Sequence, residues 1–321
     1  MAANTVDACA AGRHTAFFPK QLGALAIDEG HQIMGARLPI AREAYKNIRY
    51  GGTPHRGLRG GGRLLAEVGA AAAAKYGAAA VARIAASTLP SFEPTRWEDE
   101  RQRPTWVHTP GLASRPFWTR EQCGRLTEMI VAFEQAREQI VAEIVALDTS
   151  RMGVPYDHLS VDPELIRGWK NLFFYRDHRP DEELLARVPT LKAVAERFGP
   201  AQLDRFELFL SVLEPGTHIP AHYGGSNAKL TLHLPLVVPQ GDVAIRVDTE
   251  VRGWTSGDMV IFDDTYDHEA WNRTSEPRAV ILLKAYHPEL TVEEVGVLEM
   301  FAPLSTQVYR TLLKAKGRGA W

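Results

Sequence analysis

The chain has 321 residues, 45% of them hydrophobic and 24% charged, with a formal net charge of -2. That length and balance allow a substantial buried core without staples, and the slight acidity excludes the basic excess that nucleic acid or an anionic membrane surface would call for. The two cysteines, Cys9 and Cys123, are too few for a disulfide framework or a cysteine-rich zinc or iron–sulfur site.

The N-terminus, Met1 to Phe18, has no continuous apolar run of the signal-peptide kind. Residues up to about Leu89 read as largely helical, most clearly the alanine-rich stretch Leu64 to Ser87, despite Gly69 and Gly77. Glu67, Lys75 and Arg83 make that stretch unsuitable as a membrane span. A cytoplasmic protein with a small-molecule partner is therefore expected, with no nucleic acid and no membrane.

Gly51 to Arg63 is rich in glycine and arginine but lacks the Gly-Lys-Ser/Thr ending of a P-loop, so it reads as a solvated connector. Ser91 to Pro104 is polar and proline-flanked, predicting a linker and a boundary near residue 100. Thr119 to Leu147 has helical periodicity, with Leu126, Ile130, Phe133, Ile140, Ile144 and Leu147 forming an apolar stripe suited to backing a sheet.

From Arg205 onward, short β-like runs are separated by Gly, Pro and Asp: Phe206 to Leu213, Lys229 to Val238, Val243 to Val247, Met259 to Phe262 and Arg278 to Tyr286. Short strands with tight turns and no intervening helices predict a mainly β sandwich or barrel, including the jelly-roll form. No internal repeat is present, which argues against a solenoid.

Alternation along Lys229 to Leu236 puts Leu230, Leu232, Leu234 and Leu236 on one face and Lys229, Thr231 and His233 on the other. On the preceding run Ser211 shares a face with Arg205, Glu207 and Phe209. A polar inward face in a nearly closed β structure is costly unless a ligand or a hydrogen-bond network occupies it.

Five of the eleven histidines lie between His218 and His287. Non-haem iron(II) oxygenases use two histidines and usually one carboxylate on one side of the metal. The His-x-Glu match, His287-Pro288-Glu289, is followed by no histidine and fails as such a motif. What remains is His222-Tyr223-Gly224 with His268 following 46 residues later, and Arg278 ten residues beyond His268, where a guanidinium fork could grip a carboxylate.

Plainer readings stand beside these. His218 lies four before His222, but Gly216 and Pro220 argue against a helical zinc face, so it reads as a turn or supporting residue. A lone strand histidine such as His233 is ordinarily structural. Asp263 and Asp264 read first as capping a turn and second as orienting a ligand histidine. Lys229 and Lys284 read as exposed or as partners of a substrate carboxylate.

The segments Ser211-Val-Leu-Glu-Pro-Gly-Thr-His-Ile-Pro-Ala-His222, Lys229-Leu-Thr-Leu-His233-Leu, Ile261-Phe-Asp-Asp-Thr-Tyr-Asp-His268-Glu-Ala-Trp271 and His287-Pro-Glu-Leu290 resemble the aspartyl/asparaginyl β-hydroxylase family of Fe(II)/2-oxoglutarate-dependent dioxygenases. Upstream, Pro110-Gly-Leu-Ala-Ser-Arg-Pro-Phe-Trp118 and Gly168-Trp169 share the resemblance, which runs roughly from Thr105 to Ala302. It implies a double-stranded β-helix, cupin-like core with flanking helices over 105–302, after a mostly helical region over 1–104 and before a tail over 303–321.

The resemblance further implies iron(II) on His222 and His268 without a protein carboxylate, Gly224 standing where other oxygenases place Asp or Glu. It places Ser211, His233 and Arg278 on 2-oxoglutarate, and Trp169 beside it. The implied reaction uses O2 and 2-oxoglutarate to hydroxylate an unactivated carbon, the β-carbon of a free, peptidyl or carrier-tethered amino acid, with succinate and CO2 as co-products. His233, on the inward face, moves from structural residue to site residue.

Two departures leave the substrate open. Thr231 stands where vertebrate members place an arginine, and residues 1–104 do not resemble their helical-repeat domain or the membrane anchor of a lipid-hydroxylating branch. That N-terminal region is a candidate homodimer or carrier-protein contact. The rival expectations are a 2-oxoglutarate-dependent halogenase using the open His-x-Gly position, and a non-enzymatic cupin-like binder of a small anion.

Overall fold

A computed structural model describes residues 67–87, 99–147, 152–153, 166–199 and 202–302. The glycine-rich connector and the C-terminal tail lie outside the described residues, as does most of the N-terminal region read as helical.

Among the described residues eleven strands build the centre: β1 (Phe117–Trp118), β2 (Trp169–Arg176), β3 (Arg179–Pro180), β4 (Leu203–Leu213), β5 (His218–His222), β6 (Lys229–Val237), β7 (Val243–Val247), β8 (Glu250–Arg252), β9 (Val260–Phe262), β10 (His268–Asn272) and β11 (Arg278–Tyr286). They form a seven-stranded sheet in the order β1-β9-β6-β11-β4-β2-β3 and a four-stranded sheet in the order β5-β10-β7-β8. Every pairing is antiparallel. From β4 onward the chain passes repeatedly between the sheets, the winding of a double-stranded β-helix.

The predicted alternation on β6 explains why the large sheet has two different faces. Leu230, Leu232, Leu234 and Leu236 are buried on its outer side against α2 (Thr127–Val145), in one cluster with buried residues of α3 (Glu182–Ala186) and α4 (Pro189–Arg197). The stripe Ile130, Phe133, Ile140 and Ile144 is the buried face of α2. Burying four leucines on one strand is worth roughly 6–12 kcal/mol before entropy is charged against it, so a one-residue slip that turned them inward is strongly disfavoured. Thr231 and His233 are thereby held on the inner side. A second cluster, including Trp169, Leu213, Ile219, Ile245, Phe262 and Val280, fills the space between the sheets.

Three expectations change. The helix predicted from Thr119 divides: Gly124 has φ 50, so Glu121–Leu126 is a separate 3-10 turn ahead of α2. Arg205 does not share the inner face with Ser211. The β4–β11 register slips between Leu283↔Leu208 and Lys284↔Asp204, which turns Asp204 inward and lays Arg205 over the Tyr175 ring. The alanine-rich helix is broken at Gly77 (φ 91) into residues 67–76 and α1 (Ala78–Ala85). Val68, Ala72, Ala80 and Ile84 from this pair pack with Leu112, Tyr286, Leu290 and Val295.

The end of the stretch read as a linker is docked rather than solvated. Gln102 is buried and its Nε2 donates to Asp263 Oδ2 at 2.5 Å. Arg103 N donates to Thr265 O (2.7 Å), Thr105 N to Gly224 O (2.8 Å), and Trp106 N and Val107 N to Gly225 O (2.9 Å each). One segment thus braces both turns that flank the candidate histidines.

Candidate active site

Adjacent antiparallel strands bring the two histidines together, since His222 and His268 are direct partners between β5 and β10. Their ring centroids are 4.0 Å apart. His222 Nδ1 lies 2.8 Å from Pro220 O and His268 Nδ1 2.9 Å from Tyr266 O. A carbonyl only accepts, so each Nδ1 carries the proton and each Nε2 keeps a lone pair. Burial lowers the pKa of both rings, His268 to about 3 with His222 adding to the push. Two neutral imidazoles, each fixed through Nδ1 and open at Nε2, form a donor pair suited to a transition metal. Among the described residues no carboxylate joins them as a third donor within 4.8 Å.

A second constellation lies deeper between the sheets. Arg278 is 1% exposed, and no ion pair to it exists among the described residues. Its Nη1 donates to Ser211 O (3.2 Å), its Nε has no partner, and its guanidinium lies 4.6 Å from the Trp254 ring centre. Burial alone lowers its pKa to about 9. Trp254 Nε1 donates to His233 Nδ1 at 3.3 Å, which puts the His233 proton on Nε2, and that atom is buried without a partner. Trp169 Nε1 donates to Ser211 Oγ at 2.9 Å, leaving the serine proton to be given onward. Arginine, histidine and serine therefore present N–H and O–H groups that lack acceptors, which is what a buried carboxylate requires.

A cavity of about 250 Å³ connects these groups, lined by His222, His268, Ser211, His233 and Trp169 among others, while Arg278 stands behind the lining. A Cβ on Gly224 would meet the Asp264 carboxylate at 2.2 Å, so that carboxylate occupies the space a side chain at 224 would need. Thr231 Oγ1 donates to Asp264 Oδ2 (3.0 Å), and Lys284 pairs with the same oxygen and with Thr231 Oγ1 (2.6 Å). Lys284 is thus committed to a carboxylate, not simply exposed.

The neighbouring aspartates separate in role. Asp263 caps its turn, accepting from Thr265 N at 2.9 Å, and burial raises its pKa to about 7. His218 lies in strand β5 rather than in a turn, and its Nε2 contacts Glu269 Oε2 at 2.7 Å on the exposed side. His287 is a core residue, its Nε2 donating to Ala113 O at 3.0 Å and its ring edge-on to Trp118.

Sequence reasoning missed Trp254, Trp106 and the role of Asp264. Lys284 left a signal, being a lone cation within the apolar run Val280 to Tyr286. Trp254 left none, since it follows the short exposed β8 in irregular backbone.

Residues 134–288 match the family profile described as Aspartyl/Asparaginyl beta-hydroxylase. The chain is similar to the mouse "Aspartyl/asparaginyl beta-hydroxylase", 30% identical over 190 residues, covering 57% of this chain and 25% of that protein. It is also similar to the "Ornithine lipid ester-linked acyl 2-hydroxylase" of Rhizobium tropici, 38% identical over 122 residues, covering 37% of this chain and 42% of that one. The chain thus spans well under half the length of these relatives. Among solved structures, a sugar phosphate isomerase of the cupin superfamily from Silicibacter pomeroyi aligns with a TM-score of 0.28 and 17% identity, over 43% of this chain and 74% of that one. Among the described residues no helix is long and apolar enough to cross a membrane.

Proposed function

On the premise that this chain belongs to the aspartyl/asparaginyl β-hydroxylase family, we propose that it is an Fe(II)- and 2-oxoglutarate-dependent dioxygenase hydroxylating an unactivated carbon of an amino-acid-like substrate. The observation that carries the reading is the pairing of two unlike sites in one fold. Two neutral histidines open at Nε2 stand near a buried arginine that lacks its anion.

His222 and His268 would hold the metal. When bound, iron(II) would supply the oxygen chemistry coupled to conversion of 2-oxoglutarate to succinate and CO2. The Pro220 and Tyr266 carbonyls keep both rings in the ligating tautomer, so no proton need leave before a metal binds. Arg278, Ser211 O–H and His233 Nε2–H would take the co-substrate carboxylates. Trp254 and Trp169 set the donor directions by occupying the opposite side of His233 and Ser211. Ile219, Ile245 and Phe262 on the cavity wall would exclude bulk water from the reacting carbon.

The Asp264 carboxylate in the space beside Gly224 weighs against the halogenase alternative, because a halide would have to share that space with an anion. A binding protein without turnover would have no use for two metal-ready imidazoles. The test is succinate formation by iron(II)-reconstituted protein with 2-oxoglutarate and O2, across a panel of amino-acid substrates. His222→Ala and His268→Ala should each lower turnover by roughly 100-fold or more, beyond the effect of losing a group that only orients a ligand. Turnover retained in both would refute the metal assignment.

A further inference from the structure

The cavity continues past the histidines to an outer cluster of buried charge. Along the inner faces of β6 and β11, Thr231 and Lys284 are followed by Lys229 and Tyr286, and β4 brings Asp204 alongside. At about 3.3 Å per residue, same-face neighbours lie roughly 7 Å apart, so Lys229 and Tyr286 lie one such step beyond Lys284, with Asp204 opposite Lys284 and reaching toward Lys229. His178, Asp204 and Lys229 line the same cavity as His222 and His268, and Glu299 stands directly behind that lining, within reach of Asp204 and His178.

Lys229 Nζ lies 2.5 Å from Asp204 Oδ2, and His178 Nδ1 lies 4.0 Å from Asp204 Oδ1. Glu299 comes from the helical residues 292–302, and its Oε1 accepts from the Tyr286 hydroxyl. Its Oε2 has no hydrogen-bond partner, in a residue 1% exposed. Ligating atoms of Glu299, Asp204 and His178 all lie within 4.8 Å of one another. Burial, with Asp204 adding to it, raises the Glu299 pKa above the usual carboxylate range, while Lys229 and Arg205 oppose that shift.

Asp204 has Lys229 as its ion-pair partner, whereas Glu299 makes no ion pair within 4 Å among the described residues, Lys229 and Arg205 acting on it only from farther away. Ionised, Glu299 would give this group one negative charge in excess. A single positive charge balances that excess, while a divalent ion would exceed it and would also sit against the Lys229 ammonium. A charged N–H donor would satisfy the open Oε2 in a way that water or a neutral hydroxyl does less strongly.

We propose that this outer cluster is the subsite for a substrate ammonium group, held by Glu299 with Asp204 and His178 beside it. The substrate would then carry its amine about 7–13 Å, one to two same-face steps, from the carbon presented to the histidines. The position of that carbon rests on the hydroxylase reading; the amine subsite rests only on the cavity.

The test uses the metal-free full chain and ligand-observed NMR titration of n-pentylamine against n-pentanol. Wild type should bind the amine at least about 10-fold more tightly, the scale of a charge-assisted hydrogen bond. Glu299→Gln should bring the two ligands within about 2-fold of each other while keeping the thermal midpoint, and Glu299→Asp should restore the preference. No amine preference in wild type, or one that survives Glu299→Gln, would overturn the proposal. So would saturable manganese(II) binding in His222→Ala protein that Glu299→Gln abolishes, since the cluster would then be a metal site. Neither iron nor 2-oxoglutarate is present, so failure of the amine subsite and failure of the oxygenase reading are separately visible.

Discussion

The two ends of the cavity handle buried charge in opposite ways. At the deep end Arg278 has no carboxylate partner among the described residues and is propped by Trp254 and a backbone carbonyl, with Nε left over. Midway and outward, each lysine is matched: Lys284 with Asp264, and Lys229 with Asp204. An unmatched buried ion is expensive by several kcal/mol, and a desolvated cation–π contact returns on the order of 2 kcal/mol of that. The deep end is therefore kept in a state that an incoming anion relieves. The matched pairs are already relieved and fix the shape of the wall.

The largest effect expected from breaking this contrast is on the matched side. Lys284→Met should destabilise the fold by roughly 3–5 kcal/mol by stranding Asp264 in the interior. Chemical denaturation should show much of that loss recovered when Asp264→Asn is added, and equal stability of the single and double variants would dissolve the pairing argument. On the unmatched side, Arg278→Met should weaken 2-oxoglutarate binding by about 2–4 kcal/mol, or roughly 30- to 1,000-fold. It should also leave the unfolding midpoint unchanged or higher, because no counter-ion is stranded. A clear fall in the midpoint would mean that the arginine is structural.

Gly224→Ala directs a methyl group at the Asp264 carboxylate, and a loss of about 1–3 kcal/mol is expected in thermal unfolding. Trp254→Phe, which removes the donor to His233 but keeps an aromatic face, should be the smallest change. Its expected signature is a few-fold rise in the KM for 2-oxoglutarate, about 1 kcal/mol, at nearly constant kcat. A fall in kcat instead would place Trp254 closer to the chemistry.

Five of the strands were legible from runs such as Lys229 to Val238 and Arg278 to Tyr286, where hydrophobic alternation or an apolar run is bounded by turn residues. The strands that carry His222 and His268 were not, because β5 reads His-Ile-Pro-Ala-His and β10 reads His-Glu-Ala-Trp-Asn. Polar residues facing the cavity erase the periodic signal of the strands that position them. His222, His268, Ser211, His233 and Arg278 were legible through motif resemblance, and the fold brings them around one cavity with Arg278 just behind it. Asp264, Trp254 and Glu299 were not, since each acts through a contact between segments distant in sequence. Arg205 was misplaced for a different reason: a register slip in β4 turns Asp204 inward in its place.

The brace from Arg103 to Val107 bears on how small a working piece of this chain can be. The stretch that matches the family profile begins at residue 134, yet the backbone donors that pin Thr265, Gly224 and Gly225 lie upstream of it. Cut at the profile boundary, the two histidine turns would lose those anchors, and the cavity would lose the Thr105 and Trp106 portion of its wall. Residues 67–87 add to this by covering Tyr286 and Leu290. These contacts, rather than the reach of the family profile, bear on where such a piece can be cut, and among the described residues they begin upstream of residue 134.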